Sequence, residues 1–69
     1  MKLRNFKTRD VIKILEANNF KAKRQSGTHL IMRNTGKITV VPLHHKEIPI
    51  GTLKSIEKQS GVNLREKFG

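Results

Sequence analysis

Histidine is the side chain whose ordinary pKa lies near neutrality, and this chain has three histidines and no cysteine. His29 stands after a Gly27-Thr28 step and opens a run with two-residue periodicity, which places it at the start of a strand. An imidazole there is either one more polar group on a solvated face or, beside cations that hold phosphate, a general acid–base. Cutting RNA without a metal needs two proton transfers. One frees a 2′-hydroxyl oxygen to attack the adjacent phosphorus, and the other protonates the departing 5′-oxygen, while cations hold the charge of the phosphorane between them. Lys21, Lys23, Arg33 and Lys37 are the cations expected around His29, with Thr28 at the turn beside it.

His44 and His45 raise a metal site, with His29 or Glu47 as a third ligand, but adjacent imidazoles point apart on most backbones and no spaced Cys/His pattern accompanies them. No metal or other cofactor is therefore assigned, and His44 is read as a second phosphate contact. Ile50-Gly51-Thr52 begins a helix beside Lys46 and Lys54, so the backbone N–H groups of Gly51 and Thr52 are either a phosphate site or an ordinary helix end. The acidic residues Asp10, Glu16, Glu47, Glu57 and Glu66 form no pair suited to glycoside hydrolysis. Neither a phosphate-binding glycine loop nor a nucleophile elbow is present.

The elements that must position these groups follow from periodicity. Thr8 is expected to cap a helix over 8–18, with Asp10 near its N-terminal dipole and Val11, Ile12 and Leu15 on one stripe. Asn18-Asn19 should end it, with Phe20 folding back on the last turn. Three strands are expected over 20–25, 28–33 and 37–41, separated by Ser26-Gly27 and by a three-residue turn, Asn34-Thr35-Gly36. That turn pairs Arg33 with Lys37, so Leu30, Met32, Ile38 and Val40 share an inner face. With Ala22 opposite Met32 and Lys23 opposite Ile31, the other face carries Lys21, Lys23, His29, Arg33, Lys37 and Thr39. Pro42 ends the third strand, and Pro49 opens a second helix carrying Ile50, Leu53 and Ile56 that stops at Gly61, with Val62 as its anchor. Asn63-x-x-Glu66 has the form of a capping box for a last short helix burying Leu64 and Phe68. The expected class is α+β, an α-β-β-β-α chain with two helices on one face of a three-stranded antiparallel sheet.

Composition agrees with that chemistry. Fifteen Lys and Arg against five Asp and Glu give a net charge of +10, and 35% of residues are hydrophobic, so one small domain over 1–69 with a thin folding margin is expected. Nucleic acid is the natural partner of such a charge, because each neutralised phosphate releases counterions. The cations run from Lys2 to Lys67 rather than along one amphipathic helix, which argues against a membrane surface. With three Phe and no Tyr or Trp, phosphate and sugar contacts should outweigh base stacking. No apolar run approaches the roughly 18 residues that cross a bilayer, and charges occupy 1–13 where a signal peptide is apolar, so a cytoplasmic chain is expected.

Gly27-Thr28-His29 opening the second strand, Val41-Pro42-Leu43-His44 ending the third, and Gly51-Thr52-Leu53 followed by Ile56, Gln59 and Gly61 together resemble the HicA toxins. These are small messenger-RNA endoribonucleases of type II toxin–antitoxin modules, and the likeness runs nearly end to end. It implies a fold like that of double-stranded-RNA-binding domains, a catalytic histidine at His29, cleavage of messenger RNA that stops translation, and a HicB antitoxin that masks the site. Thr28 stands where the family usually has Ser, and Asn19-Phe20 where it commonly has Gly-Phe; the hydroxyl and the turn are both preserved. Two non-catalytic alternatives compete. One is an RNA-binding module of the same fold; the other is a DNA-binding subunit, for which the second helix offers Lys54 and Lys58 but little that reads base edges.

Overall fold

The computed structural model describes residues 6–43 and 46–64. Its elements are β1 (Phe6–Lys7), α1 (Thr8–Ala17), β2 (Lys21–Ser26), β3 (His29–Asn34), β4 (Lys37–Pro42), β5 (Glu47–Ile48) and α2 (Ile50–Ser60). β2, β3 and β4 form an antiparallel sheet in that order, and β1 and β5 form a separate two-stranded ladder. Both helices pack against β4, giving the expected α+β arrangement of a double-stranded-RNA-binding-like fold.

α1 forms because its apolar residues recur at helical spacing: Val11 and Leu15 are buried, and Ile12 and Ile14 pack at the margin of the core. Its start differs from expectation. Lys7, not Thr8, holds the N-cap position and makes no side-chain cap bond, while Thr8 is the first helical residue. Pairing of β1 with β5 sets this start: Phe6 faces Ile48, and the Thr8 N–H donates to the Lys46 carbonyl at 2.8 Å. The end is as the sequence indicates. Asn19 adopts φ 72°, and the N–H groups of Phe20 and Asn19 donate to the carbonyls of Leu15 and Glu16. Those are the two bonds of a Schellman motif, which satisfies carbonyls left over by the helix and buries Phe20 in the core.

The sheet register departs from expectation by one residue in the second hairpin. Asn34 pairs with Lys37 around a two-residue Thr35-Gly36 turn, so Arg33 faces Ile38, Met32 faces Thr39 and Ile31 faces Val40. A slip of one residue exchanges every side chain of β4 between faces. Thr39 is consequently buried with Met32 and Val41, while Ile38 and Val40 are turned outward. Two polar side chains hold this register. The Thr39 hydroxyl donates to Gln59 Oε1 of α2 at 2.9 Å, and Asn34 Nδ2 donates to the Asn18 carbonyl at the end of α1 at 3.2 Å. In the first hairpin Ala22 faces Met32 as expected, but a bulge at Lys23 puts Arg24 rather than Lys23 opposite Ile31.

α2 begins after Pro49, which occupies the N-cap position, and ends at Gly61 in the left-handed conformation, with Val62 and Leu64 buried beyond it. Leu53 and Ile56 carry its apolar stripe into the core. The capping-box partner Glu66 and Phe68 lie outside the described residues, as do His44 and His45.

Candidate nucleic-acid interface

The sheet face turned away from the helices is built of three cross-strand rows. Lys21, Arg33 and Ile38 form one, Arg24, Ile31 and Val40 the next, and Ser26, His29 and Pro42 the last. Strand alternation determines which side chains face outward: Met32 is fully buried, so Ile31, Arg33 and His29 point the other way. His29 is exposed at the end of this face, one row from Arg24 and two from the Lys21–Arg33 pair. At ~3.3 Å per residue these lie roughly 7 and 13 Å along the strand.

A braced corner carries His29. Gly27 at φ 59° holds the first central position of the two-residue turn, a conformation a Cβ would strain. Gln25 Nε2 donates to the Gly27 carbonyl at 3.2 Å. The Leu43 N–H donates to the Thr28 carbonyl, tying the exit of β4 to the turn. The turn that leads into His29 is thereby held from β2 and from the exit of β4.

Charge on this face is unbalanced. Lys21 and Arg33 are directly paired, and like charges in directly opposed positions of a sheet destabilise it. Among the described residues the side chains of Lys21, Arg24, Arg33 and His29 have no hydrogen-bonded or ionic partner. A polyanion laid across the rows relieves that repulsion. The face is also exposed along its rows, and two grooves among the described residues lie elsewhere, one at the start of α1 between Arg9, Ile12, Leu43 and Lys46, the other along Lys54, Lys58 and Val62 of the α2 end. An open cationic face suits a polymer lying on it, not an engulfed small molecule.

The structure brings Lys21, Arg33 and His29 onto one face as the sequence indicates, with Thr28 exposed in the adjoining turn. Lys23 is exposed at the bulge. Lys37 is a correction. With the register shifted it belongs to the helix side, and its Nζ lies 2.8 Å from where a Cβ on Gly61 would stand, at the C-terminal end of α2 where the helix dipole favours a cation. Thr39, expected outside, is buried under α2. Gly51 and Thr52 sit in the first turn of α2, whose N-terminus no side chain caps, and so belong to the helical layer rather than to the face bearing His29. Arg24 is the residue that sequence reasoning missed. The signal was the consecutive pair Lys23-Arg24, which breaks the alternation and marks the bulge. Among the described residues no group of three His, Asp or Glu is placed to hold a metal.

A family model described as HicA toxin of bacterial toxin-antitoxin matches residues 8–62, from the first residue of α1 to the anchor that follows α2. The same span contains every residue of the three rows. No curated protein gives a significant match to the chain.

Proposed function

From the premise that the chain belongs to the HicA toxins of bacterial toxin–antitoxin systems, we propose that it is a metal-independent endoribonuclease that cuts messenger RNA and so stops translation. The observation that carries this reading is the placement of an exposed histidine at the end of an open face whose next two rows hold Arg24, Lys21 and Arg33. In this reading the RNA backbone crosses the rows, following the strands, and presents one phosphodiester at His29. The imidazole takes the proton from the 2′-hydroxyl, the freed oxygen attacks the adjacent phosphorus, and the bond to the 5′-oxygen breaks as that oxygen takes up a proton. Arg24 and the hydroxyl of Thr28 hold the phosphorane charge, while Lys21, Lys23 and Arg33 bind phosphates further along. Gly51 and Thr52 lie in the helical layer, off this face, so their backbone N–H groups would meet only RNA that extends past it, and His44 offers a further phosphate contact. A messenger-RNA substrate places the activity in the cytoplasm, and a HicB-type antitoxin holds it in check by covering the face that bears His29.

The test is incubation of the purified chain and of His29→Ala with messenger RNA in excess chelator. The expected result is fragments ending in 2′,3′-cyclic phosphate from the first, and a rate lower by about 100-fold or more from the second, with RNA affinity within a factor of about two. Tight binding without cleavage by the unsubstituted chain overturns the reading in favour of a non-catalytic RNA-binding module. Activity lost in chelator and restored by zinc overturns the metal-free chemistry.

A further inference from the structure

The rows of the open face end at His29, and RNA laid along the strands continues past it. His29 faces Pro42 in the ladder. Leu43 follows, its N–H bonded to the Thr28 carbonyl, and forms one edge of a groove of about 580 Å³ at the start of α1. Asn34 holds the last turn of α1 at the opposite end of β3, so the start of that helix and its groove lie toward the His29 end of the sheet. The second groove lies beside Gly61, which meets Lys37 at the far end of β4, and so stands out of that path.

The lining of the first groove has the three kinds of group that a nucleotide uses. Ile12 and Leu43, both half-buried, offer apolar surface to the flat side of a base. Lys7, Arg9 and Lys46 are exposed around it and come from β1, α1 and the segment before β5, so its positive charge is built from side chains of three segments rather than from a helix end. The Arg9 guanidinium is also a plane on which an unstacked base can lie, where no aromatic side chain lines the groove among the described residues. Glu47 is the third kind. It stands opposite Lys7 in the β1–β5 ladder, yet among the described residues its carboxylate has no ionic or hydrogen-bonded partner. A carboxylate in a cationic groove opposes phosphate, so phosphate alone does not account for it; it does suit the N–H groups on the edge of a base.

We infer that this groove receives the base next to the scissile phosphate, splayed out of the strand, with Glu47 accepting from its N–H edge and Lys7, Arg9 and Lys46 holding the phosphate beyond. The inference rests on the ribonuclease reading and deepens it, because it adds a base-selecting site to a face whose cations meet only backbone. It also supplies a geometry for the reaction. In-line attack of the 2′-oxygen on phosphorus, opposite the departing 5′-oxygen, needs a bend that a regularly stacked strand lacks. A strand that rounds the sheet edge at Leu43, with one base drawn into the groove, is bent at the phosphate beside His29.

The test uses short single strands that carry 2′-O-methyl sugars and so cannot be cut, with one base varied in a uniform background. Affinities are measured for the unsubstituted chain, Glu47→Gln, Arg9→Ala and Lys54→Ala, the last a control in the other groove, with thermal unfolding as the check on folding. The expected result is a ranking of bases that spans about fivefold or more in the unsubstituted chain, collapses to within about twofold in Glu47→Gln and persists in Lys54→Ala. Arg9→Ala should lower affinity for every base. A merely electrostatic role for Glu47 overturns the inference: all four affinities then rise together in Glu47→Gln with their ranking intact. A flat ranking in the unsubstituted chain overturns it too. So does affinity for the purified antitoxin lost in Glu47→Gln with the base ranking unchanged, which assigns the groove to that protein. None of these readouts depends on cleavage. A chain that ranks bases through Glu47 yet never cuts RNA refutes the catalytic reading and sustains the base site, and one that cuts through His29 with a flat ranking does the reverse.

Discussion

The two faces of β3 and β4 are made of similar side chains and do opposite things. Beneath the helices Met32, Thr39 and Val41 are sealed from water. On the open side Ile31, Ile38 and Val40 stand exposed or half-exposed among Lys21, Arg24, Arg33 and His29. Aliphatic content therefore does not tell inner from outer in this hairpin. What distinguishes the faces is polar: the buried one holds the Thr39 hydroxyl with an acceptor on α2, and the open one holds cations that have no acceptor among the described residues.

That contrast is most severely tested by stability. Met32→Ala removes a fully buried side chain and should cost about 2–5 kcal/mol, whereas Ile38→Ala on the open face should fall within about 0.5 kcal/mol of the unsubstituted chain. Urea denaturation of both variants measures it, and equal losses break the assignment of faces. A smaller effect concerns the hydroxyl. Gln59→Ala strands the buried Thr39 hydroxyl and should cost about 1–3 kcal/mol, while Thr39→Val removes donor and demand together and should cost less. If the two are coupled as the 2.9 Å bond indicates, adding Thr39→Val to Gln59→Ala recovers part of the loss, and a strictly additive double variant dissolves the coupling. The smallest expected effect separates the cations. Arg24→Ala should flatten the dependence of log RNA affinity on log salt by about 0.7 for a single strand. Lys37→Ala, whose ammonium lies at the end of α2, should leave that slope unchanged and instead destabilise the chain by about 0.3–1 kcal/mol. A reversed pattern in the salt titration would return Lys37 to the RNA-binding face.

Much of the fold and part of the site were legible in the residues. Asn18-Asn19-Phe20 announced the end of α1 because asparagine tolerates positive φ and an apolar residue follows it to close the turn. Gly61-Val62 announced the end of α2 in the same way. The outward position of His29 was legible too, since within one strand alternation relative to Met32 requires no knowledge of the neighbouring strand. Less was legible where an element is too short to show a period: β1 and β5 are two residues each, and their pairing moved the start of α1 off Thr8. Arg24 was missed because a bulge adds one residue to β2 without any glycine to mark it.

By itself the sequence determined the order of the two helices and the three strands of the main sheet, the C-terminal ends of both helices, the cationic character of the chain and the exposure of His29, because each depends on local periodicity, turn chemistry or net charge. Only the tertiary structure decided which side of β4 is the inside. Asn34-Thr35-Gly36 is compatible with a two- or a three-residue turn, and aliphatic residues stand on both faces of the hairpin, so the strands alone do not fix which face is inside. Gln59 from α2 accepting the Thr39 hydroxyl, and Asn34 reaching the last turn of α1, break that tie. Both contacts join residues at least 16 positions apart. Such bonds have no signature in a local pattern, and they are what turned Ile38 and Val40 outward and Lys37 toward the helices.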